Sequence, residues 1–246
     1  MTSWIPVAGV VVGILYGLFG VGSAFATPAL ALVGVPPLTA VVAPLPAFVP
    51  SSMAGAWSYA RQGRVDRALA ARVMAGAVPA AVAGAALSPH VGGDALLVLQ
   101  GLVLLGIGAR LLATARRGAP AVAAASPRWR TGWAVVAAAV GVGFASGLLA
   151  NGGGFLLVPW FLLVLGLDLH RATGTSLVVA AALTVPTVLT HALLAGVDWQ
   201  VAGPFALGVV PGTTLGGWLA QRLPTGRMKA AFGGLLVVLG LRCIAG

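Results

Sequence analysis

The sequence predicts an all-α polytopic membrane protein, made of two inverted repeats of about five hydrophobic segments each, with eight to ten helices, some of them half-helices or re-entrant. Three observations predict it. Of 246 residues, 59% are hydrophobic and only 7% charged, and the mean hydropathy is +1.04; an ordinary soluble domain carries about 25% charged residues. The apolar residues fall into runs separated by short basic or Gly/Pro-rich breaks. The second half of the chain repeats landmarks of the first.

Ten apolar segments are read in order: 4–19, 21–34, 38–60, 68–88, 93–114, 132–150, 152–167, 171–195, 200–221 and 227–245. The first carries Gly13-x-x-x-Gly17, a small-residue face for close helix packing. Met1-Thr-Ser-Trp4 lacks the basic region of a cleaved signal peptide, so this segment is expected to remain. The second is short for a span and contains Pro28. The third holds Pro44, Pro46, Pro50 and Ser51-Ser52, so it cannot be a regular helix throughout. The fourth follows an arginine-rich loop. After the fifth comes Arg116-Arg117 through Arg130, a basic Pro/Ala-rich stretch. It divides the chain into a first membrane repeat (1–115), a cytoplasmic linker (116–130) and a second repeat (131–246). The sixth segment has Gly143-x-x-x-Gly147, matching the first. The seventh, short again, holds Pro159. Asp168 is placed to cap the eighth, which carries Thr184, Pro186, Thr187, Thr190 and His191. The ninth and tenth close the second repeat.

The correspondence between halves is specific. At a shift of 132 positions Val65-Asp66 falls on Val197-Asp198, Pro79 on Pro211, Gly84 on Gly216, Gly101 on Gly233, Gly108 on Gly240, Arg110 on Arg242 and Tyr59 on His191. Pro28 falls on Pro159 at 131, and Gly13/Gly17 on Gly143/Gly147 at 130. The loop charges do not follow this correspondence. Arg61, Arg64, Arg67 and Arg72 surround the loop after segment three, whereas its partner after segment eight has only Asp198. The loop near His90 and Asp94 has no Arg or Lys, whereas its partner has Arg222, Arg227 and Lys229. By the positive-inside rule the two halves then lie with opposite polarity, and both termini fall outside the cytoplasmic membrane.

The centre of the reading is a duplicated break. Asn151-Gly152-Gly153-Gly154 precedes Pro159, as Gly20-Val-Gly22 precedes Pro28. Each glycine costs a helix interior about 0.5–1 kcal/mol, and proline removes a backbone donor. Freed polar groups at membrane depth must face protein or a watery cavity. Two half-helix N-termini near the midplane would offer N–H donors to an anion; the bland reading is close helix packing. The candidate substrate-binding residues are Gly22, Ser23, Thr27, Asn151, Gly152, Gly153, Gly154, Thr175 and Ser176, with Pro28, Pro44 and Pro159 as structural breaks. Asn151 either donates to the ligand or caps the following helix. The hydroxyls of Thr175 and Ser176 either donate to the ligand or bond back to their own helix.

Several functions are disfavoured. The four carboxylates, Asp66, Asp94, Asp168 and Asp198, sit at segment edges, and there is no glutamate. No acid pair for enzymatic proton transfer and no carboxylate-lined cation path follows. No His/Cys/Asp cluster has metal-ligand spacing, so no metal and no cofactor is expected. Walker loops and nucleophile elbows are absent from the sequence. The net charge of +10 resides in short loops, which speaks for membrane topology rather than nucleic acid. Cys243 is the single cysteine. The expected partners are a small anionic substrate and the lipid bilayer, and the Gly-xxx-Gly pairs suit packing within the chain or a homodimer. A cation or metal permease and a non-transporting scaffold are the alternatives.

The run Gly17-Leu-Phe-Gly20-Val-Gly22 with Pro28, Gly152-Gly-Gly-Phe-Leu-Leu-Val-Pro159, Ala172-Thr-Gly-Thr-Ser-Leu177 and Gly196-Val-Asp-Trp199, taken in order, resembles the TauE/SafE or sulfite exporter family of membrane transporters. The likeness spans nearly the whole chain. Ser23-Ala24 and Ala43-Pro44 depart from it in the first half. The resemblance implies secondary transport of small sulfur-containing or organic anions such as sulfite or sulfonates, and no enzymatic activity.

Overall fold

The computed structural model describes residues 4–116, 132–149, 154–194, 196–223 and 225–245. Within them the chain forms eleven helices: α1 (Ile5–Phe19), α2 (Ser23–Leu32), α3 (Pro37–Val42), α4 (Leu45–Ala60), α5 (Arg67–Val91), α6 (Gly93–Arg116), α7 (Trp133–Leu148), α8 (Gly154–Leu163), α9 (Leu169–Leu194), α10 (Trp199–Ala220) and α11 (Thr225–Ala245). The expected third segment is α3 and α4 together, interrupted at Ala43–Pro44. The other nine segments each correspond to one helix. Thr39–Ala60, Arg67–Val91 and Leu169–Leu194 are long and apolar enough to cross a membrane. α2 and α8 have ten residues each, about 15 Å of helix and half of a bilayer core.

Three aspartates sit where helices begin. Leu69 N donates to Asp66 Oδ1 at 3.0 Å, Arg171 N to Asp168 Oδ1 at 3.1 Å and Gln200 N to Asp198 Oδ1 at 2.9 Å. Each satisfies an N–H that the first helical turn leaves over. These carboxylates hold helix ends, so they are not held in the membrane interior.

Glycines set how the helices pair. α1 lies against α10, with Gly9 on Phe205, Gly13 on Val209 and Gly17 on Thr213, all through main-chain oxygens. α7 lies against α5 in the same manner, with Gly76 on Val136, Gly143 on Ala77, Gly84 on Phe144 and Gly147 on Ala81. Both pairs are parallel, since the numbers rise together. α6 and α11 are antiparallel: Gly108 meets the Gly233 oxygen and Gly240 the Gly101 oxygen. α4 and α9 are also antiparallel, with Gly55 on Leu177 and Gly174 on Tyr59. Backbones this close gain dispersion and leave no room for a Cβ.

α2 turns back along α1. Ala29, Leu32 and Val33 share a groove of about 570 Å³ with Trp4, Val7, Ala8 and Val11. Arg61, Arg64, Arg171 and Arg222 gather at one end of the bundle, where the end of α4 meets the start of α9 and Ser58 meets Gly217 of α10. Arg222 lies 3.6 Å over Trp218, and Arg61 is 6.0 Å from Trp57. Such pairs suit a membrane–water boundary.

Candidate functional site

The site is built at the end of α1. Gly20 has φ +72°, a left-handed conformation that a side chain would resist, and its N–H donates to Tyr16 O at 2.7 Å. The chain restarts at Gly22, whose carbonyl accepts from Phe25 N at 3.0 Å and Ala26 N at 3.1 Å. Among the described residues no side chain caps this N-terminus. The first N–H groups of α2 therefore have no intrahelical acceptor and no capping oxygen.

Two elements, α8 and α9, close on the break. Ser176 Oγ, Thr173 Cγ2 and Val158 Cγ2 all crowd Gly20, at 3.0–3.1 Å from where a Cβ would stand. The second half-helix, α8, thus passes the first break, and the start of α9 closes the other side. Val21, Thr27, Thr175 and Ser176 are buried. In this conformation the place is occluded.

The loose backbone ends are matched by side chains. Thr173 Oγ1 donates to Phe19 O at 3.4 Å, and Tyr59 Oη to Gly17 O at 3.2 Å. Both carbonyls belong to the last turn of α1, which has no further helical N–H to bond. Pro28 deprives Ala24 O of its normal partner, and Gln100 Nε2 donates to that oxygen at 3.3 Å. In the second half, His191 Nε2 lies 3.3 Å from Gly147 O in the last turn of α7.

Of the expected residues, Gly22 opens α2, and Thr27 and Pro28 lie within it. Thr175 Oγ1 accepts from Asp66 N at 3.0 Å, tying α9 to the loop before α5. Ser176 Oγ donates to Thr173 O at 3.0 Å while lying beside Gly20. Pro44 separates α3 from α4. Pro159 lies in α8 and lines a groove of about 340 Å³ with Arg110, Val142 and Trp160 among others. Gly154 starts α8. Asn151, Gly152 and Gly153 lie outside the described residues, as does the side chain of Ser23. Among the described residues no three His, Cys, Asp or Glu come together as metal ligands.

Sequence reasoning missed Gln100 and Thr173, and it read Tyr59 only as the partner of His191. Gln100 carried a signal. The other glutamines, Gln62, Gln200 and Gln221, stand near helix ends, whereas Gln100 stands inside an apolar run. A polar side chain at such a position needs a partner.

The chain is similar to known proteins along nearly its whole length. The model of the family described as "Sulfite exporter TauE/SafE" matches residues 5–243. A "Probable membrane transporter protein" of Xylella fastidiosa (strain 9a5c) is 30% identical over 243 residues, covering 96% of this chain and 92% of that protein. The "Probable membrane transporter protein YjnA" of Bacillus subtilis (strain 168) is 26% identical over 255 residues, covering 99% of this chain and 100% of that one. No solved structure matches.

Proposed function

This chain belongs to the sulfite exporter TauE/SafE family of membrane transporters, and on that premise we propose that it is a secondary transporter or facilitator of small sulfur-containing or organic anions, of sulfite or sulfonate type, across the cytoplasmic membrane. The observation that carries the sign of the substrate is the uncapped start of α2, buried against α8 and α9 with no carboxylate on any of these three helices. Unpaired N–H groups at a helix start favour negative charge. The substrate rests between Gly22, Ser23, Thr27 and the Asn151–Gly154 run, with Ser176 at its edge. Thr175 positions α9 through its bond to Asp66.

The proposed architecture is an inverted repeat of 1–115 and 131–246 joined by the linker 116–130. Its support is the exchange of contacts between halves. Gly13 on Val209 corresponds to Gly143 on Ala77, Gly17 on Thr213 to Gly147 on Ala81, and Gly216 on Ile14 to Gly84 on Phe144. α1 ends against Thr173 near the start of α9, whereas α7 ends against His191 near its far end. Those residues are about 27 Å apart along the helix. Equivalent helices therefore finish at opposite ends of the bundle. The arginine-rich end is assigned to the cytoplasm and both termini to the outside. Alternating access then moves one half against the other and opens the occluded place to each side in turn.

The test is flux of labelled sulfite and sulfoacetate in proteoliposomes, with Gly153→Leu beside the unaltered protein. Transport is expected in the unaltered protein and its loss in a folded variant. Inertness towards every small anion would remove the proposal, and undiminished flux in Gly153→Leu would reduce the break to packing.

A further inference from the structure

Two buried side-chain atoms have no hydrogen-bond partner among the described residues: Ser146 Oγ and His191 Nδ1. Both residues are 1% exposed. They belong together, because Ser146 precedes the Gly147 whose carbonyl faces His191 Nε2 at 3.3 Å. A carbonyl only accepts, so Nε2 carries the hydrogen and the neutral ring turns an empty lone pair at Nδ1 into the protein.

The repeat shows what is unusual here. The positions equivalent to Ser146 and His191 are Tyr16 and Tyr59. Tyr16 pairs with Ser52, and Tyr59 donates to Gly17 O. The first half thus fills both positions with large, satisfied phenols. The second half has smaller side chains there and two polar atoms unmatched among the described residues. Uncompensated burial of this kind is costly and is kept where a ligand or proton completes it.

We propose that His191 is the proton-coupling residue of the transporter, its Nδ1 binding one proton for each anion that passes Ser146 on the way to the site at the start of α2, about 22 Å along α9. This rests on the anion-transport reading above. A neutral Nδ1 is an acceptor and repels an oxyanion. Once an N–H bond forms at Nδ1 with a proton taken from water, the imidazolium donates from both nitrogens, to Gly147 O and to the anion. Ser146 Oγ–H adds a second donor. Proton and anion enter together, and on the other side the N–H bond breaks and the proton returns to water as the anion leaves. The proton cancels one negative charge of the load, so the membrane potential opposes entry less than it would oppose the bare anion.

The elements packed on α9 leave this histidine without a rival close at hand. α7 and α8 carry no titratable side chain, and α4 carries Tyr59 at the opposite end. α1 carries Tyr16. α5 carries Arg67 and Arg72 at its start and the exposed His90 near its end; α11 carries Arg227, Lys229, Arg242 and Cys243. On α9 itself His170 and Arg171 lie at the far end, and the exposed Asp198 caps the following helix.

The experiment follows labelled sulfoacetate and trapped pyranine fluorescence in the same proteoliposomes. A pH gradient is expected to drive accumulation, and lumen acidification to accompany the anion. His191→Gln retains an N–H for Gly147 O but cannot titrate; His191→Tyr reproduces the first-half pairing. Both are expected to lose gradient-driven accumulation and proton movement. Anion flux without protons in the unaltered protein, or proton coupling retained in His191→Gln, overturns the inference while leaving anion transport standing. Absence of flux with every anion fails the earlier reading and this one with it. A measurement independent of the variants is proton uptake when sulfoacetate is added to the purified, weakly buffered protein near pH 6.5–7. Uptake supports the coupling, and its absence overturns it.

Discussion

Tyr59 donates its phenolic hydrogen to the main-chain oxygen of Gly17 at 3.2 Å, 42 residues away in sequence. His191 stands in the same relation to Gly147. Each side chain comes from a long helix and completes the last turn of a helix that stops before a break. A helix that stops inside a membrane exposes carbonyls that water cannot reach. The ends of α1 and α7 are tolerated because α4 and α9 carry these donors to them.

Replacing Tyr59 by Phe keeps the ring packing with its neighbours and removes only the donor. The expected loss is about 0.5–1.5 kcal/mol for the bond, rising to about 3 if the Gly17 oxygen is left unsatisfied. Thermal unfolding in detergent, monitored by size exclusion, measures it. An unchanged midpoint would mean that another group serves the end of α1.

Gln100 and Pro28 form a second testable pair. Proline removes the N–H that Ala24 O would use, and Gln100 replaces it at 3.3 Å. Gln100→Leu is expected to cost about 1–3 kcal/mol in the natural chain, since it orphans a buried carbonyl. In a Pro28→Ala background the helix regains its own donor, so the same substitution should cost clearly less. A double-mutant cycle on unfolding midpoints reads the difference. Equal costs in both backgrounds would detach Gln100 from the proline.

The contrast between Gly147 and Gly106 tests the packing. A Cβ at Gly147 would run into the Ala81 carbonyl, whereas one at Gly106 meets nothing within 4 Å. Gly147→Ala is expected to destabilise by about 1–3 kcal/mol through overpacking. Gly106→Ala is expected to be neutral or to stabilise by about 0.5–1 kcal/mol, because alanine suits a helix interior better. Purified yield and melting midpoint separate them.

These particulars also show why parts of the molecule were readable in advance. Segment ends were legible because Asp66, Asp168 and Asp198 are capping residues and because glycine and proline punctuate an otherwise apolar chain. The broken third segment was legible from Pro44, Pro46 and Pro50 together, of which only Pro44 marks the interruption. Gly13 and Gly143 were legible as packing positions because a Cβ at either would run into a main-chain oxygen, of Val209 and of Ala77. Thr175 was not legible. A hydroxyl in an apolar helix looks alike whether it meets a ligand or, as here, Asp66 N at 3.0 Å. Gln100 meets α2 across 76 residues, and no local pattern encodes such a pairing. The expectation at Asn151–Gly153 lies outside the described residues.

The last prediction concerns orientation. In an inverted repeat the loop between α4 and α5 and the loop between α9 and α10 open on opposite sides of the membrane. In a parallel repeat they open on the same side. Gln62 and Gln200 mark the two places, and both are exposed. Cys243 is the single native cysteine, so Cys243→Ser provides a thiol-free background for Gln62→Cys and Gln200→Cys. A membrane-impermeant maleimide applied to intact cells is expected to label Gln200→Cys and to spare Gln62→Cys until the cells are permeabilised. The sign follows from Arg61 and Arg64 beside Gln62, which the positive-inside rule keeps in the cytoplasm. Labelling of both from outside, or of neither, would make the repeats parallel and would remove alternating access by opposed halves. Labelling of Gln62→Cys alone would keep the inversion and reverse the orientation.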